Sequence, residues 1–504
     1  LDALAPTPAA LDVLAQQIVA ECSAAAISED ALYALVTRAA PYADLPRREF
    51  DRVVAMLGEG FVTTRGRRGA YVHRDGVGRR LRGRRGARLT ALTSGGAIPD
   101  QGDYDVVVEP EGQVVGTVNE DFAIDSVPGN VFQLGTSSWR VLKVEAQALR
   151  VADAGNDPPN MPFWFGEAPG RSDAASAAVS RLRERLEARA REGRGPEADS
   201  AWLAGELAVS EDAARQAVEY LSAAYHMLGC LPTTRTLVLE RFFDESGGMQ
   251  LVLHAPLGSR INRAFGLALR KRFCKHFNFE LQAAATDDAV VISLGVVHGF
   301  ELAEVWSYLN PDTVRDVLAQ AVLDAPVFTV RWRWVVTCAL AVPRFRGGRK
   351  VPPQVQRMAA EDLSALTFPD QLACQENITG PRDIPDHPLV TQALSDCMTE
   401  AMDVEGLTKV LAGIRDGSIR TVECDLTEPS PLAAEILTAN PYAFLDDAPL
   451  EERRTRAVTQ RRYLDPETAR RVGRLDRGVV ERVVREIFPD LRDAEELHDA
   501  LVTS

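Results

Sequence analysis

The first hundred residues combine helical spacing with short apolar runs. Near the N-terminus the apolar side chains recur every three or four positions, which is the period of one helix face, at Leu11, Leu14, Ala15, Ile18, Val19 and Cys22. The stretches SEDAL (28–32) and PRREF (46–50) resemble helix starts and predict two more helices. FVTT (61–64) and AYVHR (70–74) flank RGRRG and predict two strands joined by a glycine turn. Three helices followed by a basic hairpin predict a winged helix.

Beyond this segment the pattern changes to strict alternation. From Tyr104 to Ala152 apolar and polar residues alternate, with EPEG and VPGN as turns, and short strands at this spacing predict a small β-barrel. The predicted fold class is α+β and multidomain. Its predicted divisions are a winged helix at 1–96, a small β-barrel with an aromatic loop at 97–171, a helical segment at 172–230, a mixed α/β domain at 231–445 and a helical tail at 446–504.

The segment NMPFWFGEAPGR (160–171) fits neither a helix nor a strand. Phe163, Trp164 and Phe165 stand side by side between prolines and glycines, with no apolar period. At least one ring is therefore expected to face away from the core. An indole on such a loop offers a platform for an unpaired base, and an ordinary core tryptophan is the alternative.

Charge is distributed very unevenly along the chain. The 504 residues carry a net charge of −15. Between Arg65 and Arg88, however, ten arginines face one acid, Asp75, which gives this stretch a charge of +9 and leaves −24 on the rest. A dense basic cluster in an acidic chain is typical of a surface that contacts phosphate, and a solvated loop is the alternative.

Composition sets further limits on the class of protein. No apolar run approaches the length of a membrane-spanning helix, and the stretch LDALAPTPAALD lacks the charged-then-apolar layout of a signal peptide, so neither a membrane partner nor export is expected. Seven scattered cysteines without a C-x-x-C pair indicate a reducing compartment, and the cytoplasm is the predicted location. The first residue is Leu, and we expect the chain to be part of a longer protein.

Motifs for nucleotide or metal chemistry are missing from the sequence. There is no P-loop motif, no dinucleotide fingerprint and no H-E-x-x-H, so no cofactor is predicted for this chain. In PRFRGGRK (343–350), Arg344 and Arg346 are predicted to contact phosphate, with a solvated surface loop as the alternative. In RWRW (331–334) the tryptophans are predicted to be core anchors whose neighbouring arginines pair with acids.

Several long motifs together resemble the large helicase-related (Lhr) family of superfamily-2 ATP-dependent DNA helicases. The N-terminal half contributes RGRRGAYVHRD, LTALTSGGAIPD, GTVNEDFAIDS, FQLGTSSWRVLKVE and NMPFWFGEAPGR. The C-terminal half contributes ERFFDESGGMQLVLHAPLGSRINRAFGLALRKRF, FPDQLACQEN, IPDHPLV and ANPYAFLDDAPLEERR, which are similar to the DEAD/H-associated region of that family. The resemblance covers nearly all of residues 1–485 and departs from the family in lacking both motor domains.

The resemblance implies a module that closes over single-stranded DNA while a motor pulls the strand 3′ to 5′. It implies ATP and Mg in motor domains upstream of Leu1, a role in DNA repair, and three partners: DNA with a single-stranded 3′ tail, an RNA:DNA hybrid, and the protein's own RecA-like motor domains. By position in the matching motifs it implies that Ile98 and Trp164 contact the strand. The residues predicted to bind nucleic acid are therefore Arg65, Arg67, Arg68, Arg82, Arg84, Arg85, Ile98, Trp164, Arg344 and Arg346.

Two other functions stay open at this stage. The region after residue 231 could carry an ATP-independent base-excision or nuclease activity that uses acids such as Asp287, Asp288, Asp446 or Asp447. The acidic helical half could instead be a scaffold for protein docking or oligomerisation.

Overall fold

A computed structural model describes residues 9–63, 66–98, 102–134, 137–145, 147–155, 170–243, 248–277, 281–294, 299–346, 348–371 and 380–439. Within these ranges the chain is a mixed α and β protein with several sheets. In the same ranges, no helix is both long enough and apolar enough to cross a membrane.

The N-terminal segment is built around helix α1, whose apolar face is buried as its spacing predicts. Leu14, Ile18 and Val19 are fully or almost fully buried, together with Phe50 and Val53 of helix α3. A three-stranded sheet with the order β1-β5-β4 packs beside these helices. The elements are α1 (Leu11–Ala24), β1 (Ile27–Ser28), α2 (Glu29–Val36), α3 (Arg47–Glu59), β2 (Phe61–Thr63), β3 (Gly66–Arg68), β4 (Val72–Asp75), β5 (Arg80–Gly83) and α4 (Ala87–Ser94).

The predicted pairing of the basic hairpin is wrong. The segments around 61–64 and 70–74 do not pair with each other: β2 pairs with β3, and β4 pairs with β5. RGRRG is therefore not a turn between two strands, because residues 66–68 are themselves a strand. Gly69, with φ of 72°, follows this strand and separates the two hairpins. The wing is consequently the β4–β5 hairpin, and its turn lies at residues 76–79.

The alternating region forms one five-stranded sheet with the order β7-β6-β10-β9-β8. Strands β6 and β10 run parallel, and the other neighbouring pairs are antiparallel. Tyr104, Val106, Phe132 and Leu149 form its core, as the alternation predicts. The sequence predicted a barrel, whereas β7 and β8 lie at opposite edges of the described sheet. The elements are β6 (Asp103–Val108), β7 (Gln113–Asn119), α5 (Glu120–Asp125), β8 (Val131–Leu134), β9 (Ser137–Glu145) and β10 (Ala148–Asp153).

Three helices follow: α6 (Asp173–Arg191), α7 (Pro196–Leu207) and α8 (Glu211–Leu228). The stretch GRGP (193–196) separates α6 from α7, because Gly195 precedes α7 at a φ of 80° and Pro196 occupies the first turn. Serine side chains cap α6 and α8, where Ser172 and Ser210 accept hydrogen bonds from backbone N–H groups.

The second half contains a five-stranded sheet with the order β13-β14-β12-β11-β17, surrounded by helices. Strand β17 runs parallel to β11, although some 180 residues separate them in the chain. The elements are β11 (Thr236–Phe243), β12 (Met249–His254), α9 (Ser259–Phe277), β13 (Gln282–Ala285), β14 (Ala289–Leu294), α10 (Leu302–Val305), α11 (Val314–Val322), α12 (Pro326–Cys338), β15 (Phe345–Arg346), β16 (Arg349–Lys350), α13 (Pro353–Thr367), α14 (Pro388–Asp396), α15 (Val404–Asp416), β17 (Arg420–Asp425) and α16 (Pro431–Ala439).

The N-terminal helices and this second half share one continuous apolar core. Polar contacts fix the two parts against each other: Leu11 N donates to Gln392 Oε1 at 2.7 Å, and Tyr71 donates to the Leu340 carbonyl at 3.0 Å. The prediction for RWRW is confirmed at two positions. Trp332 is buried, and Arg331 forms an ion pair with Glu400 at 2.8 Å.

Candidate nucleic-acid interface

The arginines of the basic stretch fall into paired and unpaired groups. Arg74 Nε donates to Glu29 Oε1 at 2.6 Å, and Arg79 lies 3.6 Å from the same carboxylate. Glu29 is buried, and its hydrogen bond from Arg74 lowers the pKa of its carboxyl group. This carboxylate lies outside the stretch in sequence, so the free positive charge is smaller than the local count of +9 indicates.

A row of exposed guanidinium groups lies at the end of the wing and the start of helix α4. Arg82, Arg85 and Arg88 are exposed, and within the described ranges none of them forms an ion pair or a side-chain hydrogen bond. We call these three residues the exposed arginine row. Strand β5 turns Arg82 outward because its neighbour Leu81 is fully buried on the opposite face. The row is the part of the wing and of helix α4 whose guanidinium groups have no internal partner among the described residues.

Arg84 has a structural task that its sequence position did not reveal. Its Nε donates to the Val72 carbonyl at 3.0 Å and its Nη2 donates to the Gly58 carbonyl at 3.1 Å. The side chain therefore holds the wing against the end of α3. Because two of its donors are used in this way, Arg84 contributes less to a phosphate contact than its sequence position predicts.

Arg344 corrects the prediction made for PRFRGGRK. The residue is only 8% exposed, and its Nη2 donates to the Ile98 carbonyl at 2.7 Å and to the Gly96 carbonyl at 3.4 Å. Arg344 therefore positions the chain that follows α4 and is not a surface phosphate ligand. Arg346, two residues later, is exposed as predicted.

Ile98 lies where a contact with a ligand is feasible. Its side chain is 82% exposed, while its carbonyl is held by Arg344. Leu89 and Leu92 of helix α4 are also exposed, by 54% and 75%. Leu89 and Leu92 share helix α4 with Arg88, and Ile98 follows that helix in the chain, so this segment presents both cationic and apolar side chains to solvent, a combination that suits both the phosphates and the bases of an unpaired strand.

Helix α3 is partly covered by other parts of the chain. In helix-turn-helix proteins the helix at this position reads the major groove. Here Arg48 and Arg52 both form ion pairs with Asp386, at 3.1 Å and 2.5 Å. His387 beside them lies 5.8 Å from the Phe61 ring, and burial lowers the pKa of its imidazole to about 4. Contacts within the chain thus occupy α3, and the wing and α4 remain as the exposed basic surface.

Three of the predicted residues lie partly or wholly outside the described residues. Arg65 and Trp164, the latter with its neighbours Phe163 and Phe165, are not described, and only the backbone of Arg67 is described. Their roles stay predictions.

The described residues Ala154 and Gly170, on either side of the aromatic rings, are held by contacts with other parts of the chain. At one end Ala154 N donates to the Ser138 carbonyl at 2.9 Å. At the other end a Cβ added to Gly170 would collide with Ser259 Oγ, so only glycine fits this close approach without a shift. Arg171 follows and is held by the turn between β13 and β14.

Asp287 and Asp288 at that turn both take part in these contacts. Asp287 Oδ1 accepts hydrogen bonds from the backbone N–H groups of Ser259 and Arg171, at 2.7 Å and 3.0 Å. Asp288 pairs with Arg171 at 3.0 Å and with Arg183 at 3.2 Å. The two carboxylates therefore connect the β13–β14 turn to Arg171, Arg183 and the start of helix α9, which is a structural role. Asp446 and Asp447 lie outside the described residues, and among those described no group of three or more His, Cys, Asp and Glu residues could hold a metal ion.

The structure also forms a cleft that sequence reasoning missed. It has a volume of about 360 Å³ and lies between the β2–β3 hairpin and helix α13. Phe61, Leu363, Arg68 and Arg346 are among the residues that line it. We call it the hairpin cleft. No local pattern could have indicated it, since its two walls are about 280 residues apart in the chain.

Family models match both halves of the chain. Residues 1–161 match the model described as "Large helicase-related protein, winged helix domain", and residues 231–433 match "DEAD/H associated". The chain belongs to the large helicase-related family.

The relatives of this Lhr-family chain are much longer than the chain itself. It is 30% identical to "Lhr helicase/ probable uracil glycosylase" of Mycolicibacterium smegmatis, over 97% of this chain and 32% of the relative. It is 29% identical to "Lhr helicase/uracil glycosylase" of Escherichia coli, over 98% of this chain and 31% of the relative. It is 26% identical to "ATP-dependent helicase Lhr-Core" of Methanothermobacter thermautotrophicus, over 88% of this chain and 49% of the relative. The chain thus spans about one third of the length of the first two.

A solved structure shares the fold. The structure of Mycobacterium smegmatis helicase Lhr bound to ssDNA and AMP-PNP aligns with a TM-score of 0.62 at 25% sequence identity. The alignment covers 86% of this chain and 49% of that chain. The resemblance inferred from the sequence motifs is therefore confirmed at the level of family and fold.

Proposed function

We propose that this chain is the single-stranded nucleic-acid-binding module of an ATP-dependent 3′-to-5′ DNA helicase or translocase that acts in DNA repair. RecA-like motor domains outside this chain bind ATP and Mg and pull the strand, while this module holds it. The substrate is DNA with a single-stranded 3′ tail, or an RNA:DNA hybrid, in the cytoplasm. The proposed divisions at residues 96, 171, 230 and 445, with a small β-barrel and its aromatic loop at 97–171, belong to the same proposal.

One observation carries the proposal. The exposed arginine row keeps three guanidinium groups unpaired in a chain whose net charge is −15 and in which many other arginines pair with acids. Unpaired cations on such a chain gain most from a polyanion, because binding releases the counterions that surround phosphates. The ssDNA bound by the Mycobacterium smegmatis relative supports the same class of ligand.

The chemistry of holding does not require base identity. Arginines of the row contact phosphates, which are the same at every step of the strand. Ile98 provides an exposed apolar contact, and Trp164 stacks on a base, an interaction that tolerates every sequence because each base has a flat face. The contacts of the row, Ile98 and Trp164 therefore let the strand slide whatever its sequence.

The test is the salt dependence of single-strand binding. Fluorescence anisotropy would measure the affinity of the chain for a labelled single-stranded DNA of mixed sequence between 50 and 300 mM salt. The combined variant Arg82→Ala, Arg85→Ala and Arg88→Ala should bind more weakly, and its slope of log K against log salt should fall by about 0.7 for each phosphate that is no longer neutralised.

A matched control removes the same charge from another part of the chain. Arg191, Arg194 and Arg215 are 54–56% exposed and lie on or beside helices α6 and α8, where each pairs with an acid. Their combined replacement by alanine should leave the slope unchanged. Equal slopes for the row variant, the control variant and the unmodified chain would contradict the proposal.

The alternative enzyme function has a weaker basis in the structure than in the sequence. The carboxylate of Asp288 pairs with Arg171 and Arg183, and that of Asp287 accepts two backbone N–H groups, so neither is placed as a free base that could activate water. The names of two relatives include a uracil glycosylase, but this chain spans only about one third of those proteins. A base-excision activity that uses Asp446 or Asp447 stays a prediction, and product formation without ATP on uracil-containing DNA, abolished in the Asp→Asn variants, would support it. No specific contact favours the scaffold function.

A further inference from the structure

The hairpin cleft is open, and two guanidinium groups are among the groups that line it. Arg68 reaches it from strand β3 and Arg346 from strand β15. Neither side chain has a hydrogen-bond or ion-pair partner among the described residues. Two unpaired cations held at one cleft repel each other in the empty protein, so an anion between them is favoured.

The rest of the cleft is apolar with one acid. Phe61 and Leu363 are buried side chains at its floor, and Leu366 contributes a wall that is 46% exposed. Asp362, on helix α13, is exposed and also lines the cleft without an ion-pair partner in the part of the chain that the structure describes. The site therefore combines two cations, an apolar surface and a single hydrogen-bond acceptor.

We infer that the hairpin cleft holds one unstacked nucleotide of the bound single strand. Arg68 and Arg346 contact the phosphates on either side of that nucleotide, and its base lies against the apolar floor. Asp362 accepts a hydrogen bond from the exocyclic amine of cytosine, adenine or guanine. This inference rests on the proposed function and adds a site to it, separate from the exposed arginine row.

The dimensions and chemistry fit this occupant. A volume of about 360 Å³ lies near the lower end of the roughly 300–1,000 Å³ that small-molecule sites occupy. A nucleotide is an apolar, flat base with an anion on each side and amine donors at its edge, which matches the groups at the cleft. Carboxylates are known acceptors for the cytosine amine, whereas thymine has no exocyclic amine.

The experiment compares oligo(dC) and oligo(dT) binding to the full 504-residue chain by fluorescence anisotropy. Replacing both Arg68 and Arg346 by alanine should weaken both ligands by about 25-fold at 0.1 M salt, which corresponds to the removal of two phosphate contacts on a single strand. Asp362→Ala removes the acceptor and its charge, and should lower the affinity for oligo(dC) relative to oligo(dT) by about tenfold, the scale of one hydrogen bond to a charged group.

A second variant blocks the cleft without changing charge. Ala365 is exposed and lines the cleft, so Ala365→Trp should fold normally and should weaken both oligonucleotides. Thermal melting of each variant checks folding. If Ala365→Trp and the double arginine variant melt normally and bind both oligonucleotides as tightly as the unmodified chain, the inference is wrong.

The two proposals fail separately. If the exposed arginine row is needed for binding but the cleft variants have no effect, only the inference about the cleft fails. If the chain binds no single strand at all, the proposed function fails. A third outcome is that a poly-glutamate peptide displaces oligo(dC) from the cleft at equal charge concentration, which would make the cleft a site for acidic peptides and overturn the assignment to a nucleotide.

Discussion

Replacing Asp396 by asparagine should stabilise the protein in a pH-dependent way. Asp396 lies at the end of helix α14, where that helix meets the N-terminal helices. Burial, and then the negative charges of Glu400 and Asp12, raise the pKa of its carboxyl group from 3.8 to about 7. Gln392 Nε2 donates to Asp396 Oδ1 at 2.6 Å, and an asparagine oxygen can accept the same hydrogen bond.

The sign of the effect follows from the raised pKa. Below about pH 4 the carboxyl group is protonated in both the folded and the unfolded chain, and its contribution to stability is fully present. As the pH rises from 4 to 7 the unfolded chain ionises first, so the free energy of unfolding falls. Above pH 7 the folded state carries the buried charge and the decrease is complete.

The shift of about three units sets an upper limit of about 4 kcal/mol, at 1.36 kcal/mol per unit. Glu400 is 48% exposed, so solvent screens its share of the repulsion, and about 2 kcal/mol is the expected gain for Asp396→Asn at pH 8. For a cooperative unit of 150–250 residues this corresponds to an increase in melting temperature of about 4–8 °C.

Differential scanning calorimetry at pH 5 and pH 8 measures the effect. The difference in melting temperature between Asp396→Asn and the unmodified chain should be small at pH 5 and large at pH 8. The control variant Asp212→Asn alters a carboxylate that is 83% exposed and should show no such trend. A difference for Asp396→Asn that is the same at both pH values would refute the reasoning.

Three further changes test other parts of the structure. Trp164→Ala should weaken single-strand binding by about 1–3 kcal/mol in anisotropy measurements, because one base no longer stacks on the indole ring. An unchanged affinity would show that Trp164 does not stack on a base. Gly258→Ala should lower the melting temperature far more than Gly193→Ala. The new Cβ at Gly258 would lie 2.8 Å from the Arg171 carbonyl oxygen, whereas nothing lies within 4 Å of a Cβ at Gly193. Similar decreases for the two variants would contradict the close approach. Ser430→Ala should destabilise the chain by about 2–3 kcal/mol in thermal unfolding, because it removes the hydroxyl that donates to the buried Glu240 carboxylate at 2.6 Å. An unchanged stability would show that this hydrogen bond contributes little.

Local patterns predicted the elements of the fold but not how they pair. The helical spacing of α1 and the alternation after Tyr104 were both confirmed, because burial on one face imposes a period on the sequence itself. The wing was assigned to the wrong pair of strands. Both β2–β3 and β4–β5 are short, rich in arginine and glycine and weakly patterned, so periodicity could not specify their register.

Single-residue roles were harder to predict than the basic surface as a whole. The dense run of arginines correctly indicated a cationic face, but which guanidinium groups are free depends on distant partners. Glu29 neutralises Arg74, and the fold buries Arg344 against the Ile98 carbonyl. Arg68 and Arg346 were predicted as separate phosphate contacts, and only the three-dimensional structure shows that they line one cleft.

Cross-linking tests the central claim most directly. Single-stranded DNA that carries photoreactive bases would be irradiated with the full chain, and the attached peptides would be identified by mass spectrometry. The account predicts cross-links within residues 61–98 and 156–171, which contain the exposed arginine row, Ile98 and Trp164. Cross-links confined to helices α6–α8, with none in those two segments, would contradict it.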